Sequence, residues 1–129
     1  MRFRAFTVLG FCVLLMGCDP IATEKVSVQF SGQSWEEEFK TAEGLVEQCL
    51  KTNGFERVQL RWQTNRTDGI RYDGAGRSAC SVRRYPGVLV VEFSELGKFE
   101  SRPEVVRARD ILKRRLGETF GEENVRQDD

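Results

Sequence analysis

The chain contains no histidine. That absence removes the schemes in which an imidazole activates a serine or cysteine nucleophile, and with them the common histidine-based zinc sites. A CxxC pair is also missing, which argues against catalytic thiol exchange. The one glycine-rich segment, Gly74-Ala75-Gly76 within Arg71–Ser78, lacks the rest of a GxGxxG phosphate pattern and reads as a hairpin turn. No apolar run reaches the roughly 20 residues that a spanning helix needs. Neither charge is in excess, with 20 basic and 20 acidic side chains, whereas a nucleic-acid-binding domain would carry a clear basic surplus. Lysine is scarce, five against fifteen arginines. The acidic groups at Glu36–Glu38 and Glu122-Glu123 fall on a helix start and a tail, so neither suggests the facing carboxylates of a glycosidase cleft. No catalytic residue, cofactor or metal site is therefore expected.

What is present begins at the amino terminus. Arg2 and Arg4 precede the uncharged, largely apolar run Ala5–Met16, which is followed by Gly17 and Cys18. A charged start, a short apolar core and a small residue form the pattern of a cleavable export leader. The quartet Leu15-Met16-Gly17-Cys18 resembles the lipobox of bacterial lipoproteins, although Met16 is a less usual occupant of its place. The resemblance covers the leader alone. It implies cleavage after residue 17, a diacylglycerol thioether on Cys18 and acylation of the new amino terminus. Two or more chains hold a protein stably at a bilayer where one does not. Asp19 resembles the inner-membrane retention signal of lipoproteins in enteric-type bacteria, which places the expected domain on the periplasmic side of the inner membrane in preference to the outer one.

This leader sorts the four cysteines. Cys12 leaves with it and Cys18 takes lipid, so Cys49 and Cys80 remain as a matched pair in an oxidising compartment. A disulfide between them is expected, with two separate buried thiols as the alternative. Loss of Arg2 and Arg4 leaves 18 basic against 20 acidic side chains in a chain of single-domain size.

Downstream, residues 18–24 read as a tether, 25–121 as one domain and 122–129 as a polar tail. Lys25–Ser31 alternates as a half-buried strand, with Val26, Val28 and Phe30 on one side. Ser34-Trp35-Glu36-Glu37 matches a capping box, and Trp35, Phe39, Ala42, Val46, Cys49 and Leu50 share one stripe of a helix stopped by Asn53-Gly54. Phe55–Gln63 reads as a strand with Val58, Leu60 and Trp62 inward and Arg57, Gln59 and Arg61 outward. Ile70–Tyr72 is a short strand; Arg77–Tyr85 places Cys80 and Val82 inward and Ser81, Arg83 and Tyr85 outward. Val88–Phe93 is apolar on both sides, as befits a central or covered strand. Ser101-Arg102-Pro103-Glu104 opens a second helix whose stripe is Val105, Ala108, Leu112 and Leu116. The order predicts an α+β two-layer domain: a mostly antiparallel sheet of four or five strands with two helices on one face, a ferredoxin-like arrangement being the neighbouring solution.

One distribution bears on function. Residues 54–87 carry seven arginines, no lysine and three acidic groups, whereas residues 18–53 carry three bases and seven acids. Arg57, Arg61 and Arg83, with Tyr85, are expected on the sheet face away from the helices. Guanidinium groups grip carboxylates and phosphates in a bidentate manner, so such a face could dock an acidic partner or anionic headgroups; a solvated face in an arginine-rich chain is the plainer reading. The expectation is a small, lipid-anchored, non-catalytic binding or accessory module of the cell envelope. An inhibitor or immunity-type lipoprotein and a weak hydrolase are the other classes.

Overall fold

The computed structural model describes residues 20–32, 34–58 and 69–128. The leader, Cys18 and Asp19 lie outside the described residues, as does the expected strand from Gln59 onward, Arg61 included.

Eight regular elements follow one another: β1 (Ile21–Gln29), α1 (Trp35–Thr52), β2 (Glu56–Val58), β3 (Ile70–Asp73), β4 (Ser78–Tyr85), β5 (Val88–Leu96), α2 (Pro103–Phe120) and β6 (Val125–Asp128), the last preceded by a 3-10 turn at Glu122–Asn124. They build one six-stranded sheet in the order β2-β3-β4-β5-β1-β6. Every neighbouring pair is antiparallel. The fold is thus the α+β sandwich of sheet and two helices. Taken with the helices, β1, β4, β5 and β6 follow the β-α-β-β-α-β order of the split-βαβ, ferredoxin-like layout, and β2 and β3 extend the sheet beyond β4.

The sheet has six strands where four or five were expected, because the carboxy-terminal residues pair with β1 instead of fraying. Main-chain pairing needs no apolar side chains. Gly121, at φ 96°, ends α2, and Asn124 caps the Phe120 carbonyl at 2.7 Å, turning Val125 onto the edge opposite Val28. At the other end β1 starts at Ile21, so residues expected as tether are already strand.

Cross-strand partners share a sheet face. One row runs Val26, Val91, Val82 and Ile70; the next runs Glu24, Phe93, Cys80, Tyr72 and Arg57. This is the helix side. Its apolar members join Phe39, Ala42, Val46, Cys49 and Leu50 of α1, and Val105, Ala108, Leu112 and Leu116 of α2, in one core. Both helical stripes are therefore as expected, except that Trp35 stays exposed, its indole lying against Gly87. Edge-to-face contacts join Phe30 to Phe39 and to Phe120, each at 5.1 Å. Arginine–carboxylate clasps lace the helix side to its cover: Arg109 of α2 reaches Glu24 at 2.6 Å, Arg102 holds Glu95, and Arg84 holds Glu36 and Glu43 of α1 while lying over the Phe39 ring.

Neither expected capping box makes a side-chain cap. At α2 the N-cap is Arg102, with Pro103 first in the helix, and the Glu95 carboxylate accepts the Arg102 backbone N–H at 3.4 Å. Glu95 comes from the end of β5 and is 1% exposed, so a buried anion sits where the helix dipole favours one.

Candidate functional site

With the helices on one side, the site is built on the other. Alternation along β1, β4 and β5 turns Lys25 and Ser27, Ser81, Arg83 and Tyr85, and Val88, Val90 and Glu92 away from the core. Asp128 of β6 joins them opposite Lys25. Together these side chains line an open cleft of about 470 Å³ across the sheet. Among the described residues, no helix or strand packs over it. Val88 and Val90 are half-buried, and Tyr85 is 49% exposed at its end.

Of the expected face residues, Arg83 and Tyr85 are on the cleft. Arg57 is not: it pairs with the buried Tyr72 and so belongs to the helix side, at the sheet's edge. The cause lies one turn earlier. The Phe55 and Gly54 N–H groups donate to the Leu50 and Lys51 carbonyls, the paired bonds of a Schellman ending, with Gly54 at φ 86°. That ending presses Phe55 into the core beside Phe93, at 5.8 Å between rings. Two residues on, Arg57 must face the same way as Phe55, and Val58 turns out.

The electrostatics agree. Burial, with Glu47 adding to it, pushes the Tyr72 hydroxyl up to about 12, while the charge of Arg57 pulls against both. Glu43 and Cys80 add smaller upward pushes. The unfolded chain ionises this tyrosine near pH 10, so the folded state keeps a proton that the unfolded state has released. Stability is therefore full below about pH 10 and falls as pH climbs towards about 12. Tyr72→Phe is expected to flatten that alkaline decline in thermal melts while leaving the neutral-pH midpoint nearly unchanged; an identical alkaline profile would contradict the burial of the hydroxyl.

The cleft is mixed in charge, not arginine-lined. Lys25 and Arg83 are balanced by Glu92 and Asp128, and the Lys25 ammonium lies 3.5 Å from Glu92. Lys25 stands in register between the two carboxylates, opposite Glu92 on one side and Asp128 on the other. Among the described residues, no group of three or more histidine, cysteine, aspartate or glutamate side chains is placed to hold a metal ion. What the arrangement offers is a broad surface of aliphatic, aromatic and paired charged groups.

Lys25, Ser27, Val88, Val90, Glu92 and Asp128 were not expected as site residues. The outward parity of Ser27 was readable from alternation, but that β1 lies beside β5 was not.

Cys49 and Cys80 are both buried free thiols in the core. The expected bond between them is not formed in this structure. The Cys49 thiol contacts the Ala108 carbonyl at 3.8 Å and accepts a contact from Asn53. Burial raises both thiols, Cys80 well above its ordinary value, and their mutual repulsion adds to the rise at Cys80.

Comparison with protein-family models and with curated proteins gives no match for this chain. Among the described residues, no helix is long and apolar enough to cross a membrane.

Proposed function

We propose that this protein is a lipid-anchored, non-catalytic binding module of the cell envelope, held by Cys18 on the periplasmic side of the inner membrane, that offers the sheet face away from its two helices to a protein partner. The observation that carries this reading is the asymmetry of the sheet: one face is sealed by two helices, and the other bears a cleft with half-buried valines and an exposed tyrosine. A sheet face meant only for water alternates cleanly to polar residues. Here Val88 and Val90 stand among the polar groups, with Arg83 and Tyr85, residue types enriched where partners dock. The balanced charges favour a partner of mixed charge over a purely acidic one.

A photoreactive residue at Val90, introduced in cells, tests the reading. Crosslinks to one envelope protein are expected, and Arg83→Glu combined with Tyr85→Ala should reduce them at least ten-fold with the thermal midpoint within about 2 °C, since surface changes rarely exceed about 0.5 kcal/mol. Parallel loss of crosslinks and folded protein, or crosslinks that ignore both substitutions, would sink it. The partner captured separates an accessory role from a blocking one: a resident protein indicates the first, an incoming lytic enzyme the second.

A further inference from the structure

The end of the sheet where β1 begins carries an apolar patch that the proposed cleft does not use. Phe99, in the loop between β5 and α2, is 90% exposed. Beside that loop, Ile21 and Leu96 form the terminal cross-strand pair of β1 and β5, 60% and 40% exposed on the outer face. Large aliphatic and aromatic groups gathered at one tip in this way mark a contact. The Gly97 N–H donates to the Pro20 carbonyl at 2.7 Å, so the chain enters the fold at this loop. Cys18 is two residues before Pro20. An extended chain covers at most about 3.6 Å per residue, so no more than about 7 Å of chain separates residue 18 from Pro20.

We propose that the tip formed by Ile21, Leu96 and the Phe99 loop is a second membrane contact, dipping into the interfacial region of the bilayer that holds the Cys18 lipid. The inference rests on the lipid-anchor reading. Apolar side chains such as Phe and Leu bury at the boundary between headgroups and acyl chains, and Lys98 next to Phe99 can meet anionic headgroups, with Glu100 on the other side. Once anchored, the domain has its orientation set. β5 runs from Val88 to Leu96, so at about 3.3 Å per residue the Tyr85–Val88 end of the cleft stands roughly 25 Å above the membrane contact. The partner is met at that height, not at the lipid surface.

The test uses the purified full-length protein, as matured and acylated in cells, carrying Phe99→Cys or Tyr85→Cys and reconstituted into phosphatidylethanolamine–phosphatidylglycerol vesicles. The rate of labelling by a charged, water-soluble maleimide is measured. Position 99 is expected to label at least ten-fold more slowly in vesicles than in the non-acylated Cys18→Ser protein free in solution, while position 85 labels equally fast in both. Equal rates at position 99 overturn the membrane contact and leave the anchor reading standing. Slow labelling at position 99 in the Cys18→Ser protein without lipid also overturns it, because a second copy or another protein then covers the tip. If mass spectrometry finds no acyl group on Cys18, the anchor reading fails by itself. Vesicle co-sedimentation of that protein then decides the contact: a partition that Phe99→Ala lowers several-fold supports it, and no change overturns it.

Discussion

Replacing Phe93 by alanine is expected to lower the unfolding free energy by about 3–5 kcal/mol, the range for removing a fully buried aromatic ring. Small domains hold only about 5–15 kcal/mol in total, so the variant should sit close to unfolding at physiological temperature. The site cannot relax to fill the space. Phe93 lies on β5 with Cys80 of β4 and Glu24 of β1 as its cross-strand neighbours, so hydrogen-bonded strands fix its backbone on both sides. Its ring meets Phe55 edge-to-face at 72° between planes, and Phe55 is itself fastened by the Schellman ending of α1. A cavity bounded by a sheet and a capped helix stays open, which puts the cost towards the upper part of the range. Urea unfolding should show a lower midpoint with an unchanged slope, since the surface exposed on unfolding is nearly the same. Phe99→Ala is the control. The same deletion at a ring 90% exposed should move stability by no more than about 0.5 kcal/mol. Similar losses at positions 93 and 99 would contradict the core as described.

Alternation in β1 and β4 and the helical stripes are local signals, and they placed their buried residues correctly except for Trp35, which the first helical stripe included and the fold leaves exposed. The inverted face of Arg57 is a conflict between two local signals. Val58, Leu60 and Trp62 alternate as if inward, but Gly54 followed by Phe55 is the signature of a helix ending that buries the next residue, and the better-anchored residue set the parity. β6 was legible only through its partner, because Val125 and Gln127 gain their place from the exposed edge of β1. Glu95 shows the same limit at the candidate site's opposite side: nothing local to Ser101 or Arg102 says that a carboxylate from β5 caps α2. The cleft needed the strand order, since Lys25, Glu92 and Asp128 become neighbours only when β1 inserts between β5 and β6.

If the leader exports the chain as proposed, Cys49 and Cys80 are expected to be joined by a disulfide in the matured protein, and its reduction should cost about 3–4 kcal/mol of stability for a loop of that length. The two thiols lie in one core cluster, Cys49 near the end of α1 and Cys80 on the helix side of β4, so the bond would tie the helical layer to the sheet. Their burial also governs when it can form. The thiolate is the reacting species, and burial holds both groups protonated at neutral pH, Cys80 most strongly. Oxidation therefore belongs to the folding chain, before α1 docks. Reduced, folded protein should resist both alkylation and oxidation, and each should accelerate sharply near the urea midpoint where the core opens. Denaturing alkylation of envelope-matured protein reads the outcome: modification of Cys49 and Cys80 only after reductant is expected, and free labelling of both without reductant removes the bridge. In that second case the state of Cys18 assigns the cause. An acylated Cys18 beside two free thiols means that the packing of α1 on β4 outruns oxidation, whereas an unmodified Cys18 beside them removes the lipid anchor together with the bridge.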